Sequence, residues 1–222
     1  MGGLIPLGDA SRRPARMPVV TGLLIVVNVF VFLQELLHGD AFVAQWSAIP
    51  IEITSGQNLI TLLTSMFMHA SWMHIIGNMV FLWAFSPEIE DAMGRGRYLI
   101  FYLLGGLVAM LTQVLASPDS TIPTLGASGA IAAVMGAFIV TYPRDRIKTV
   151  LFIFFFFRIT LIPASLLIGF WFLIQLLDAG SVAHVATGGV AYLAHIGGFL
   201  FGVITAHWFE NKRRIEWPQE LD

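Results

Sequence analysis

Six stretches of this 222-residue chain are apolar enough, and about long enough, to cross a bilayer as helices. That constrains the fold more than any other feature, because the hydrocarbon core holds no water to satisfy an unpaired backbone. The stretches lie near 19–37, 59–85, 98–115, 125–142, 159–177 and 189–209. The expected architecture is therefore all-α, a polytopic membrane protein with a bundle of six transmembrane helices. Composition agrees: 57% of the residues are hydrophobic, 12% are charged and the mean hydropathy is +0.79. A soluble domain carries about 25% charged residues.

The distribution of Lys and Arg gives an independent check, since cytoplasmic loops carry the excess of both. The twelve are Arg12, Arg13, Arg16, Arg95, Arg97, Arg144, Arg146, Lys148, Arg158, Lys212, Arg213 and Arg214. With six spans, all of them fall on one face, which places both termini in the cytoplasm. The domains follow: an amino-terminal cytoplasmic tail at 1–18, a six-helix membrane domain at 19–209 and a carboxy-terminal cytoplasmic tail at 210–222. The first span has a long apolar core with no clear cleavage site after it, which reads as an uncleaved anchor. The segment 150–157 is strongly apolar but too short to span, and is expected at the cytoplasmic interface. Net charge is only -2, so no global basic field recruits nucleic acid. The absence of cysteine excludes disulfides, thiolate zinc sites and a thiol nucleophile.

Polar groups within a span are costly, and those present face the bundle interior, where they join helices or do chemistry. The second span carries His69, His74 and Asn78; the fourth begins Gly126-Ala127-Ser128-Gly129; the sixth has Ala194-His195-Ile196-Gly197-Gly198 and then Gly202. At a rise of 1.5 Å per residue, His74, Ser128 and His195 lie roughly 16, 21 and 18 Å from the cytoplasmic ends of their spans. They share one layer, nearer the outer surface. Ser128, Ala132 and Gly136 form one small-residue stripe, and His195, Gly198 and Gly202 another. Such stripes permit close backbone approach and set Ser128 beside His195. His74 and Asn78 share a helix face, whereas His69 stands about 140° away on an ideal helix.

A serine hydroxyl needs a base to take its proton, and the oxyanion that forms needs preorganised donors. His195 suits the base. The Asn78 amide, the His74 ring and the Ser128 backbone N–H suit the oxyanion hole, while Gly126, Gly129, Gly198 and Gly202 allow close packing. No Asp or Glu lies mid-span on these three helices, so the reading is a Ser-His dyad without a third member. Taken alone, Ser128 would be a packing serine and the His74/Asn78 pair an interhelical bond; their common depth argues for chemistry. His69 either lines the cavity or faces headgroups. His38, His184 and His207 read as solvated or interfacial. A metal site from His69, His74 and His195 lacks a carboxylate to complete it. Glu88, Glu90 and Asp91 read as a charged cytoplasmic cap in which Glu90 pairs with a basic neighbour.

In these three motifs, His69-x4-His74-x3-Asn78, Gly126-Ala127-Ser128-Gly129 and Ala194-His195-Ile196-x-Gly198-x3-Gly202, the chain resembles the rhomboid family of intramembrane serine proteases. The resemblance covers nearly the whole chain. It implies hydrolysis of transmembrane or membrane-anchored proteins near small or helix-breaking residues, with no metal, nucleotide or other cofactor. The chain departs from the family pattern in two places. Its first outer loop has Trp46 but no arginine beside it, and Ala132 stands one turn after Ser128 where many members have an aromatic ring, which leaves the support of the His195 ring to be found.

Two other function classes compete. A catalytically silent rhomboid-like protein that binds client helices would have lost Ser128 or His195. A small transporter or channel would carry intramembrane acids or broken helices at a central site. The peptidase reading leads, with a polar cavity opening to the outer side above Ser128 and His195. The compact core, without targeting extensions, points to a prokaryotic inner or plasma membrane.

Overall fold

The computed structural model describes residues 2–153, 156–182 and 191–215. The chain starts as strand β1 (Gly2–Asp9) and enters α1 (Val19–His38), followed by the short helices α2 (Asp40–Trp46) and α3 (Pro50–Thr54). One turn, α4 (Thr61–Thr64), runs into a 3₁₀ turn at Ser65–Phe67, and then come α5 (Trp72–Met93), α6 (Arg95–Ala116) and α7 (Ser128–Thr141). Strands β2 (Arg146–Ile153) and β3 (Phe156–Pro163) precede α8 (Ala164–Val182), α9 (Tyr192–Phe209) and the terminal turn α10 (Lys212–Ile215).

The expected bundle is present as α1, α5, α6, α7, α8 and α9. Helices α1, α6 and α9 are long and apolar enough to cross a membrane by length and composition alone. Helix α7 has only 14 residues, about 21 Å at the usual rise. Its length matters less because protein surrounds it: it packs against α5, α6, α8 and α9. Every residue from Gly129 to Phe138 is buried, as suits a helix that is apolar all round. Phe138 meets Phe85 of α5 edge to face at 5.3 Å.

Contact between α7 and α9 is made by backbone. A Cβ on Gly198 would lie 2.1 Å from the Gly129 carbonyl oxygen, one on Gly202 2.0 Å from that of Ala133, and one on Gly136 2.2 Å from that of Phe199. The small-residue stripes are thus realised as two facing backbones, each lending glycines to the other. Gly129 also turns its missing side chain toward α6, where a Cβ would meet that of Ala109 at 2.5 Å.

Three expectations are corrected. The long second span is not one helix. It breaks after Phe67 and restarts at Trp72, because Ser71 adopts an extended conformation and its hydroxyl caps the new helix by accepting the His74 N–H. Among the described residues Glu90 forms no ion pair with a basic neighbour: α5 continues through it, and its carboxylate accepts the Val20 and Thr21 N–H groups at 3.0 and 2.8 Å and the Thr21 hydroxyl at 2.8 Å. It fills the orphan donors at the start of α1, where negative charge is favoured. The fifth span begins later than 159, since residues up to Pro163 belong to β3.

The strands form an antiparallel sheet of order β1-β2-β3 beside the bundle, an addition to the helical architecture that the sequence reading did not anticipate. Residues 2–9, expected in a tail, pair with β2, and 150–153 pair with 156–159. Pro6 is tolerated because β1 is an edge strand, and the register shifts between Pro6 and Gly8. Ile147 and Thr149 face inward and are buried, while Arg146 and Lys148, alternating with them, are exposed. The segments carrying basic residues converge at this end. Arg12 bonds Asp145 and lies 3.7 Å over the Tyr142 ring, the Ala15 N–H reaches Asp91, Arg95 reaches the Met17 carbonyl, and Arg214 reaches the Asp91 carbonyl.

Candidate active site

Ser128 opens α7, so its own N–H is one of the first-turn donors that no helical carbonyl satisfies. The turn before it is pinned twice. The Gly126 N–H donates to the Ser65 carbonyl at 2.9 Å, and Thr124 pairs with Ala48 in an isolated antiparallel bridge. Gly126 has φ +133°, a conformation that L side chains rarely adopt. A Cβ there would sit 3.0 Å from His74 Nε2 and 3.5 Å from Ser128 Oγ. The missing side chain therefore leaves open the space between the His74 ring and the serine.

His195, in the first turns of α9, meets Ser128 directly: Nε2 to Oγ is 2.7 Å. The layer inferred from helix depth is thus realised, and the close α7/α9 packing below it brings the two side chains together. On its other side the His195 ring is held by α8. Trp171 lies 5.8 Å away, ring to ring, and Gln175 Oε1 is 2.6 Å from His195 Nδ1. His195 and Gln175 are each only 7% exposed. The support that Ala132 cannot give comes from α8. Sequence reasoning missed Gln175 because it searched the second, fourth and sixth spans, and for acids only. The available signal was a lone amide in an apolar stretch, one turn after a tryptophan.

His74 is placed by the Ser71 cap at the start of α5. The Ala70 N–H donates to His74 Nδ1 at 3.3 Å. A neutral ring that accepts at Nδ1 carries its proton on Nε2, the nitrogen turned toward Gly126 and Ser128. Asn78, one turn further along α5, is buried, and its Nδ2 has no hydrogen-bond partner among the described residues. A buried amide donor left unsatisfied calls for an explanation.

His69 departs from expectation. It lies within the break between Phe67 and Trp72, so the 140° separation from His74 does not apply, and the two rings meet edge to face at 5.0 Å. Its ring is buried, with neither nitrogen partnered among the described residues. Its backbone N–H donates to both oxygens of Glu35, a buried carboxylate of α1, at 3.1 Å each. Glu35 was overlooked as an acid at the end of an apolar helix; it anchors the segment leading to His74. His38 and His207 are exposed and bond locally, to the Gln34 carbonyl and Glu210. His184 lies outside the described residues. Among the described residues, a pocket of about 10 Å³ adjoins Ser128, lined by Met66, Met110, Leu125 and small residues. That is room for about one water, narrower and more apolar than the expected cavity.

A family profile described as "Rhomboid domain" matches residues 56–211. Presenilin-associated rhomboid-like protein A, mitochondrial, of Danio rerio is 33% identical over 141 residues, 63% of this chain and 34% of that protein. Rhomboid protein 1, mitochondrial, of Saccharomyces cerevisiae is 29% identical over 157 residues, 69% of this chain and 42% of that protein. Rhomboid protease GluP of Bacillus subtilis is 33% identical over 85 residues, 38% of this chain and 16% of that protein. The chain thus covers less than half the length of each of these relatives. Two of them are mitochondrial by name and one is bacterial. The similarity establishes a multi-pass membrane protein without choosing the membrane.

Proposed function

The chain belongs to the rhomboid family, and on that premise we propose that it is an intramembrane serine endopeptidase that hydrolyses peptide bonds of transmembrane or membrane-anchored proteins. The observation that carries this reading is the 2.7 Å approach of His195 Nε2 to Ser128 Oγ in a buried layer of the bundle. His195 takes the hydroxyl proton as Ser128 Oγ attacks the scissile carbonyl carbon. The resulting oxyanion lies in the space beside Gly126, within reach of the His74 Nε2–H, the Asn78 amide and the Ser128 N–H. The imidazolium then gives its proton to the departing amine, leaving an acyl-enzyme on Ser128. A water deprotonated by the same ring hydrolyses the ester and restores the serine.

Both termini are placed on the cytoplasmic side, with the site nearer the outer surface. What supports this is the convergence of the basic segments at one end of the bundle, the end opposite Ser128. The chain has no cysteine, so single cysteines introduced into 40–58 and 144–148 report sidedness to an impermeant thiol reagent; labelling of 144–148 in intact cells would reverse the orientation.

The test of function is cleavage of a single-span substrate by the purified protein. Cleavage that Ser128→Ala and His195→Ala both abolish and EDTA leaves intact is the expected result. Cleavage that survives Ser128→Ala, or none from folded wild type across several substrates, contradicts it.

A further inference from the structure

The imidazole of His195 has two neutral tautomers, and only one can act. With the proton on Nδ1, Nε2 offers a lone pair to the serine hydroxyl; with the proton on Nε2, the ring donates to Ser128 Oγ and cannot take its proton. Something must choose between them. The Gln175 carbonyl oxygen, 2.6 Å from Nδ1, is an acceptor and so requires the proton there. We propose that Gln175 is a positioning residue that fixes His195 in the base-competent tautomer, making the working unit Ser128–His195–Gln175 with a neutral third member. This rests on the peptidase reading for its purpose, though not for its measurement.

Three observations carry it. The contact is enclosed, since His195 and Gln175 are each 7% exposed, so water does not compete for Nδ1. It is directional, because Trp171, one turn earlier on α8, flanks the same ring at 5.8 Å and leaves Nδ1 facing Gln175. It is also separable from packing: α8 is held against α9 by Phe172 stacked on Phe199 at 4.1 Å. Removing the amide therefore leaves the helix contact in place. An amide also suits the setting, since it orients the ring without adding an ionised carboxylate to a membrane interior, where charge is costly. His74 has the complementary arrangement. The Ala70 N–H donates to its Nδ1, so the two rings are set in opposite tautomers, one to accept a proton and one to donate a hydrogen bond.

The experiment uses the full chain labelled with ¹⁵N-histidine in detergent micelles. The His195 signals are assigned by their loss in His195→Ala. Wild type should be protonated on Nδ1. Gln175→Met and Gln175→Leu, which remove the acceptor at similar volume, should move the proton wholly or partly to Nε2. With a single-span substrate, kcat should fall on the order of tenfold to a hundredfold while KM stays within about twofold. Gln175→Glu, which keeps an acceptor at the same reach, should hold the Nδ1 proton and recover most of kcat. A wild-type His195 protonated on Nε2, or one that keeps its Nδ1 proton in folded Gln175→Met or Gln175→Leu, overturns the proposal. If wild type cleaves nothing, the peptidase reading fails, and the spectra still decide what Gln175 does.

Discussion

The two ends of this molecule are built by different means. At the Ser128 end, Ser128, His195 and His74 stand within the first turns of their helices, and their positions follow from helix depth and from which neighbours are glycine. At the opposite end, β1 joins a sheet with strands about 140 residues further along the chain, and the loops are tied by Glu90, Asp91, Arg12 and Asp145. The first end depends on how closely two backbones approach. The second depends on long-range pairing and on charge. Damage to one should be felt differently from damage to the other, and that difference can be measured.

The largest effect is expected where backbones touch. Gly202→Leu forces a branched side chain into a carbonyl that a bare Cβ would already meet at 2.0 Å. Overpacking costs about 1–3 kcal/mol in ordinary cores and more where only backbone can yield. The expected outcome is loss of folded protein on detergent size exclusion, with activity lost in parallel. Normal folding and activity would mean that α7 and α9 are not locked by glycine.

Next is the α1 cap. Glu90→Gln keeps the side-chain shape but removes the charge facing the Val20 and Thr21 N–H groups. A loss of about 1–2 kcal/mol is expected, read as a lower unfolding temperature. Specific activity of the folded fraction should hold within about twofold, because the contact lies at the far end from Ser128. A large change in kcat would break the comparison by showing that the two ends communicate.

The sheet end should also respond to pH. Burial and a hydrogen bond to Asp145 push the Asp9 carboxyl from its ordinary 3.8 up to about 7. The folded state then holds a proton that the unfolded chain has released. Stability is therefore fullest below about pH 4 and declines as pH rises through 7. Asp9→Asn should match wild type at pH 4 and unfold a few degrees higher at pH 8. Equal unfolding temperatures at both values would show that Asp9 is not protonated in the fold.

Legibility in the sequence divides along the same line. Ser128, His195, Gly198 and Gly202 were readable because helical periodicity fixes depth and face from spacing alone. His74 was readable for the same reason, while His69 was misplaced because a helix was drawn through Ser71, whose capping ended that periodicity. Gln175 was missed because a polar neutral side chain gives no charge signal. Trp171, the ring beside His195, stands in an apolar stretch rich in aromatics, where spacing does not single it out. The sheet was not legible because Gly2–Asp9 contains two adjacent glycines and a proline, weak strand formers whose pairing is imposed by a distant segment. Glu90 shows the same limit: its position on α5 was visible, but its partners lie 69 and 70 residues away.

The central claim is that Ser128 is activated by His195, and the most direct measurement is covalent labelling of the purified protein by a fluorophosphonate, read by intact mass and by mapping the modified peptide. The account expects one adduct per chain, on Ser128, absent from Ser128→Ala and reduced to background in His195→Ala. An adduct on another residue, labelling that persists without His195, or no labelling of folded wild type would contradict it.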